Sequence, residues 1–198
     1  MVIPSTEIRL ILLAAGNSAR MGQSKQLLKV RGESLLVHSI TVAVKSGYRP
    51  IVVLGANEKE HRKAIEDLPV DTILNLNWKN GMGGSLKAGL IYLLQNTPLT
   101  EALIVMVCDQ PLLTSEHLKK IKEKYQTVGK GIVASGYADT SGVPALFHKS
   151  LFPEIMALSD ELGAKSIIQK HLTDTITIDF PAGSVDLDTP TDYQNFIQ

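Results

Sequence analysis

Short, unbroken apolar runs alternate along the chain with segments whose apolar positions recur at helical spacing. Residues 10–15, 51–54, 72–74, 102–107, 132–135, 143–147 and 175–178 read as strands, with 102–107 the strongest and 72–74 the weakest. Residues 35–45, 58–67, 85–94, 115–125, 151–158, 165–171 and 190–196 read as helices, the first ended by Ser46-Gly47. Strands that are apolar throughout are buried on both faces. Their alternation with helices therefore predicts an α/β fold, a three-layer α/β/α arrangement around a mostly parallel sheet. No repeat, low-complexity tract or linker breaks the pattern, so residues 1–198 are expected to form a single domain. Residues 138–142 are the expected flexible loop. Ligands of such sheets bind at the carboxyl ends of the strands.

The first apolar run stops at such an end, in Leu13-Ala14-Ala15-Gly16-Asn17-Ser18-Ala19-Arg20-Met21-Gly22-Gln23-Ser24-Lys25. Small residues let backbone N–H groups approach an anion, and the fixed cations Arg20 and Lys25 neutralise it. The loop is thus a candidate phosphate cradle, although it matches neither a Walker loop nor a dinucleotide fingerprint. A surface loop with two cations is the plainer alternative.

Three further patterns bear on chemistry. The strongest strand runs into Cys108-Asp109-Gln110-Pro111, where Pro111 prevents continuation and Asp109 emerges at the same sheet edge. A carboxylate there suits Mg²⁺, which takes one or two carboxylates plus substrate phosphates; a turn-forming Asp before Pro is the alternative. In Val185-Asp186-Leu187-Asp188-Thr189-Pro190-Thr191-Asp192, a helix cap explains Thr189, Pro190 and Asp192. It leaves Asp186 and Asp188, spaced to face one side of an extended segment, free to complete a metal site with Asp109. Finally, Asn80-Gly81-Met82-Gly83-Gly84-Ser85 is a glycine-rich approach to a helix whose free N–H groups suit anions or base edges.

Composition narrows the classes. At 44% hydrophobic the chain fills a core without disulfides, and its zero net charge argues against nucleic-acid binding. The single Cys, Cys108, fits a reducing compartment and reads as a buried strand residue. The short apolar run after Glu7 and Arg9 is no secretory signal and no segment has the length of a membrane span, so a cytoplasmic protein is expected. His38, His61, His117, His148 and His171 fall in unrelated segments and read mostly as surface or helix-end residues.

Taken together, these motifs resemble the nucleotidyltransferases of the nucleotide-diphospho-sugar transferase fold, and within them the molybdenum cofactor cytidylyltransferase group. The opening pattern Leu-Ala-Ala-Gly-x-Ser-x-Arg-Met-Gly-x-x-Lys-x-Leu-Leu is met at Leu13, Ala14, Ala15, Gly16, Ser18, Arg20, Met21, Gly22, Lys25, Leu27 and Leu28. Cys108-Asp109-Gln110-Pro111, Gly142-Val143-Pro144-Ala145-Leu146-Phe147, Gly163-Ala164-Lys165 and Asp186-Leu187-Asp188-Thr189-Pro190 resemble its later motifs in order. Lys165 stands where the group has Arg, keeping the charge and losing the bidentate fork. The Ala14-Ala15-Gly16 start resembles the cytidine-using branch; guanylyltransferases typically have Leu-Ala-Gly-Gly.

The resemblance implies a Rossmann-like, mostly parallel sheet and transfer of CMP from CTP to the terminal phosphate of a molybdopterin-type acceptor. It implies Arg20, Lys25 and Asp109 as catalytic residues. Leu13, Ala14, Ala15, Gly16, Ser18, Gly81 and Ser85, with those three, would bind nucleotide. Gly142, Pro144 and Lys165 would bind acceptor, and Asp109, Asp186 and Asp188 would hold Mg²⁺. A molybdenum hydroxylase or its maturation chaperone would receive the product. The alternatives are a guanylyltransferase, a sugar- or polyol-phosphate cytidylyltransferase, and a non-catalytic carrier that binds nucleotide or pterin and inserts cofactor.

Overall fold

The computed structural model describes residues 7–197; most of the N-terminal stretch read against a secretory signal lies outside them. Along the chain run β1 (Ile8–Ala14), β2 (Lys29–Val30), β3 (Glu33–Ser34), α1 (Leu35–Lys45), β4 (Ile51–Leu54), α2 (Glu58–Ala64), β5 (Asp71–Leu74) and α3 (Met82–Asn96). Then follow β6 (Ala102–Val107), α4 (Ser115–Val128), β7 (Ile132–Tyr137), β8 (Thr140–His148), α5 (Phe152–Met156), α6 (Ala164–Lys170), β9 (Thr175–Asp179) and α7 (Pro190–Ile197). One seven-stranded sheet has the order β5-β4-β1-β6-β8-β7-β9, and β2 pairs with β3 in a separate ribbon. Within the large sheet β8 alone runs against its neighbours β6 and β7. Among the described residues no helix is long and apolar enough to cross a membrane.

The two-sided burial of the strands builds the layers. Along β1, Leu10, Leu12 and Ala14 enter one core, while Ile11, Leu13 and the following Ala15 enter the other. Leu36 and Ile40 of α1 and Leu118 and Ile121 of α4 cover the first face. Leu86, Leu90 and Leu93 of α3, Ile155 of α5 and Ile167 and Ile168 of α6 cover the second. Each such side chain removed from water stabilises the fold by about 1.5–3 kcal/mol. At Gly89 of α3, a Cβ would sit 3.0 Å from two Ile11 methyl carbons, so the helix lies close on β1.

The helix ends follow their caps. Ser34 Oγ accepts from Val37 N–H at the start of α1, and Thr114 Oγ1 accepts from His117 N–H at the start of α4. At α7 the expected capping box is closed both ways: Thr189 N–H donates to Asp192 Oδ2 at 2.8 Å, and Asp192 N–H donates to Thr189 Oγ1 at 3.2 Å.

Several sequence expectations need correction. The helix read at 58–67 stops at Ala64, and that read at 85–94 begins earlier, at Met82. The helix read at 151–158 is a 3₁₀ turn, Lys149–Leu151, followed by the short α5. Residues 138–142 are no flexible loop. Tyr137 pairs with Thr140, and Ala138 and Asp139 (φ 46° and 59°) make the tight turn of a β7–β8 hairpin. Ala is a poor signal for such a turn, since positive φ favours Gly and Asn.

Two histidines assigned to the surface are buried, His61 and His117. His117 stacks on Phe180 with centroids 4.4 Å apart, and its Nε2 lies 2.7 Å from Ser135 Oγ. Ser135 donates its one proton to the Pro144 carbonyl at 2.6 Å, so neutral His117 donates to Ser135. Burial, with a smaller push from Lys120, lowers the His117 pKa from 6.5 to about 4. Its contribution to stability is therefore complete above pH 6.5. It is lost between 6.5 and about 4, where only the unfolded chain takes up the proton, and amounts to about 3 kcal/mol at most. Urea unfolding at pH 7 and pH 4.5 is expected to show a smaller acid-induced loss in His117→Gln than in the parent. Equal losses would show that His117 does not set the acid sensitivity.

Candidate active site

Register brings the motifs together. Leu13 of β1 pairs with Val107 of β6, so both strands release their chains at one edge. Ala15-Gly16 and Cys108-Asp109 emerge there side by side. A cleft of about 690 Å³ opens over this edge. Ala15, Gly16, Ser18, Arg20 and Lys25 line it on the loop side, and Trp78, Gly81, Met82 and Ser85 line the opposite wall. Asp109 and Asp188 also face it.

Lys25 lies at the centre. Its ammonium donates to Asp109 Oδ2 at 3.0 Å and to Asp188 Oδ1 at 2.6 Å, and its side chain is 14% exposed. Arg20 Nη2 donates to the other Asp188 oxygen at 2.7 Å and is otherwise open to solvent. Burial works against the Lys25 charge, but Asp109 and Asp188 outweigh it and hold the pKa above 10.5. The Lys25 hydrogen bond in turn holds Asp188 below the ordinary carboxylate value.

Asp186 behaves oppositely. Its residue surface reaches solvent, yet crowding by protein and then by Asp109 and Asp188 pushes its carboxyl up to about 6. Among the described residues, no group of three His, Cys, Asp or Glu forms a ready metal cage. The cation between Asp109 and Asp188 is the Lys25 ammonium.

The loop is held by a residue that sequence reasoning passed over. Gln26 is 3% exposed, and its amide donates to the carbonyls of Gly16 at 2.8 Å and Ala14 at 3.3 Å. The Ala15 carbonyl accepts from Ala56 N–H at 3.0 Å. Trp78, the chain's one tryptophan, was also missed. Its Cβ and Cγ lie 2.7 and 2.8 Å from where a Gly55 Cβ would be, so the indole is seated because residue 55 is Gly. The polar cluster Ser18, Ser24 and Gln26 around Lys25 was the available signal for the first.

The glycine-rich wall differs from the expectation of outward-facing N–H groups. Gly83 N–H donates to the Asp160 carbonyl at 2.9 Å. A Cβ on Gly81 or Gly83 would collide with carbonyl oxygens of the 159–162 segment. Lys87 fastens that segment, 2.6 Å from Asp160 Oδ1 and 2.8 Å from the Leu158 carbonyl. The glycines serve close packing, although Gly81 still lines the cleft. Ser85 lies beneath, accepting from Asn75 Nδ2 at 3.0 Å.

Gly142, Pro144 and Lys165 do not line the cleft. Gly142 is buried against the Tyr137 hydroxyl, Pro144 is buried with its carbonyl on Ser135, and Lys165 is exposed on α6. Between them the Val143 carbonyl accepts from Gln110 Nε2 at 3.1 Å and from Tyr137 Oη at 3.2 Å. A second recess of about 520 Å³ beside the β7–β8 turn, with Tyr137, Ser141 and Asp179 in its wall, contains none of the predicted site residues. Cys108 is buried as expected, though one residue past β6 and not in it, and burial pushes its thiol up to about 12.

A mostly parallel sheet that gathers a cationic small-residue loop and strand-end carboxylates at its carboxyl edge has the architecture of a nucleotidyltransferase. The chain belongs to the MobA-like NTP transferase domain family, which it matches over residues 10–175. It is 26% identical to the nicotine blue oxidoreductase of Paenarthrobacter nicotinovorans, over 90% of this chain and 91% of that one. It is 23% identical to the molybdenum cofactor guanylyltransferase of Vibrio parahaemolyticus, over 100% and 98%. The crystal structure of Rv0371c from Mycobacterium tuberculosis superposes with a TM-score of 0.82 at 27% identity, covering 98% of this chain and 99% of that one. Rv0371c has also been crystallised in complex with manganese.

Proposed function

We propose that this protein moves CMP from CTP to the terminal phosphate of a molybdopterin-type acceptor and releases pyrophosphate. The observation that carries the reading is Lys25 held between Asp109 and Asp188 beneath the Gly16–Arg20 side of the cleft. An acceptor phosphate oxygen attacks the α-phosphorus, and the bond to the β-phosphate oxygen breaks with its electron pair leaving on pyrophosphate. A phosphate monoester is largely ionised at neutral pH, so no general base is required. Positioning and charge neutralisation remain for the protein to supply.

In this reading Arg20 and Lys25 transfer from carboxylates to the triphosphate. Leu13, the backbone of Ala14, Ala15 and Gly16, and Ser18 frame the nucleotide on one side, Gly81 and Ser85 on the other. The acceptor lies toward the Thr140 end of β8, shaped by Gly142 and Pro144, with Lys165 outside on α6.

Asp109, Asp186 and Asp188 form no ready cage by themselves, but their oxygens are of the kind a hard divalent cation such as Mg²⁺ takes, with substrate phosphates completing the set. Burial first, and then Asp109 and Asp188, raise the Asp186 pKa, and a cation bound there would offset both. Bound there, it supplies charge neutralisation at the α-phosphate. The manganese complex of Rv0371c supports a divalent cation. The product passes to a molybdenum hydroxylase or its maturation chaperone.

The nucleotide is the next question. Ala15, where guanylyltransferases typically have Gly, supports CTP; the name of the Vibrio relative favours GTP. A pocket fitted to one base leaves polar groups unpaired with the other, so kcat/KM for CTP is expected to exceed that for GTP by about tenfold or more. Steady-state rates with a nucleotide panel, Mg²⁺ and a pterin phosphate measure it. A ratio at or below one moves the protein to the guanylyltransferase branch. A carrier that inserts cofactor without chemistry would release no pyrophosphate with any nucleotide.

A further inference from the structure

Gln26 sits between Lys25 and two leucines, yet all its polar capacity is spent on the loop. Its nitrogen donates to the Ala14 and Gly16 carbonyls. Its oxygen accepts from Ser18 Oγ at 3.1 Å and from Ser24 Oγ at 3.0 Å. Ser18, in the left-handed region at φ 54°, accepts in turn from Lys25 N–H at 3.0 Å. One buried amide thus ties the start of the loop, its middle and the residue preceding Lys25.

The chain of bonds has a far end. Ser24 Oγ lies 2.7 Å from Nε2 of His61, a residue of α2 with no exposed surface. Ser24 gives its one proton to Gln26, so His61 is the donor, protonated at Nε2. Its Nδ1 is buried without a partner, which suits a lone pair better than a proton. The imidazole is neutral and acts as a fixed peg from a separate helix.

A loop that receives phosphate must turn its carbonyl oxygens away from it. With Ala15 O on Ala56 N–H, the three carbonyls leaving β1 are all engaged by protein donors, two of them by Gln26. We propose that Gln26 is the positioning residue of this loop, held in place through Ser24 by His61, and that it sets the loop's affinity for the triphosphate. The proposal rests on the reading of this loop as a phosphate cradle.

Gln26→Met removes the hydrogen bonds at nearly constant volume, and Gln26→Glu turns a carboxylate oxygen toward two carbonyls. His61→Leu removes the peg, while His61→Gln retains an N–H donor. Binding of inorganic tripolyphosphate and of CTP, each with Mg²⁺, is measured by calorimetry and by Trp78 fluorescence, beside thermal unfolding and steady-state kinetics. Gln26→Met is expected to stay folded and lose about tenfold or more in affinity for both ligands. Gln26→Glu is expected to lose more, with KM raised further than kcat falls. His61→Leu is expected to follow Gln26→Met, and His61→Gln to recover most of the loss. Folded Gln26→Met that binds within about twofold of the parent overturns the role of Gln26. His61→Gln no better than His61→Leu removes the peg, and this pair stands as the test should Gln26→Met fail to fold. A parent protein that binds neither ligand overturns the phosphate reading itself.

Discussion

Asp109→Asn is expected to lower turnover by about three orders of magnitude or more while leaving the fold intact. The amide keeps the carboxylate's shape but removes one of the two negative groups that hold the Lys25 ammonium. It also removes the proposed donor nearest the β6 strand end. Asp109 is 27% exposed at the cleft and packs in neither core, so little stability depends on it. Raised Mg²⁺ is expected to restore activity only in part, because affinity and geometry are both lost. Single-turnover rates across a Mg²⁺ titration check this, with circular dichroism as the folding control. Near-parental turnover in the variant would take Asp109 out of the mechanism.

Lys25→Ala is expected to cost about 30- to 1000-fold in rate, corresponding to charge-assisted contacts of about 2–4 kcal/mol in the transition state. Arg20→Ala is expected to act in the same direction. Arg20 is mostly exposed and bonded to Asp188 alone, whereas Lys25 is shielded between two carboxylates, so the Lys25 loss is expected to be the larger. The contrast is informative because charge is worth more where water is excluded. Pyrophosphate release by each variant measures it. Parental kinetics for both would detach the loop cations from catalysis.

The main architecture was legible because β4, β6 and the part of β1 after Arg9 are apolar throughout, which only two-sided burial explains. The cap at Thr189 likewise announced α7. The β7–β8 hairpin escaped notice because Ala138 occupies a positive φ that its residue type does not signal. At the site, the meeting of the Gly16–Lys25 loop and Asp109 at one sheet edge was readable from strand ends followed by breakers. The pairing of Lys25 with Asp188 was not, since those residues are 163 positions apart and only the return of the chain from β9 to the β6 end joins them. Gln26 and His61 were missed for a related reason. Sequence shows residue type but not burial, and a buried amide or imidazole takes its meaning from partners the fold supplies. The glycines before α3 show the reverse error, where a pattern suggestive of anion binding proved to serve close packing against residues 159–162.

The lysine bridge has one more consequence. With Lys25 and Arg20 already paired to Asp109 and Asp188, and Lys79 the further cation on its wall, the open cleft offers a bare triphosphate only a weak positive field. Freeing the two cations costs their carboxylate partners unless positive charge arrives with the nucleotide. If the cleft binds a nucleoside triphosphate as proposed, nucleotide and counter-charge would be thermodynamically coupled through these two cations, each raising the affinity of the other by the same factor. On the proposed reading the cleft would work as a coincidence detector, answering the pair far more strongly than either one alone.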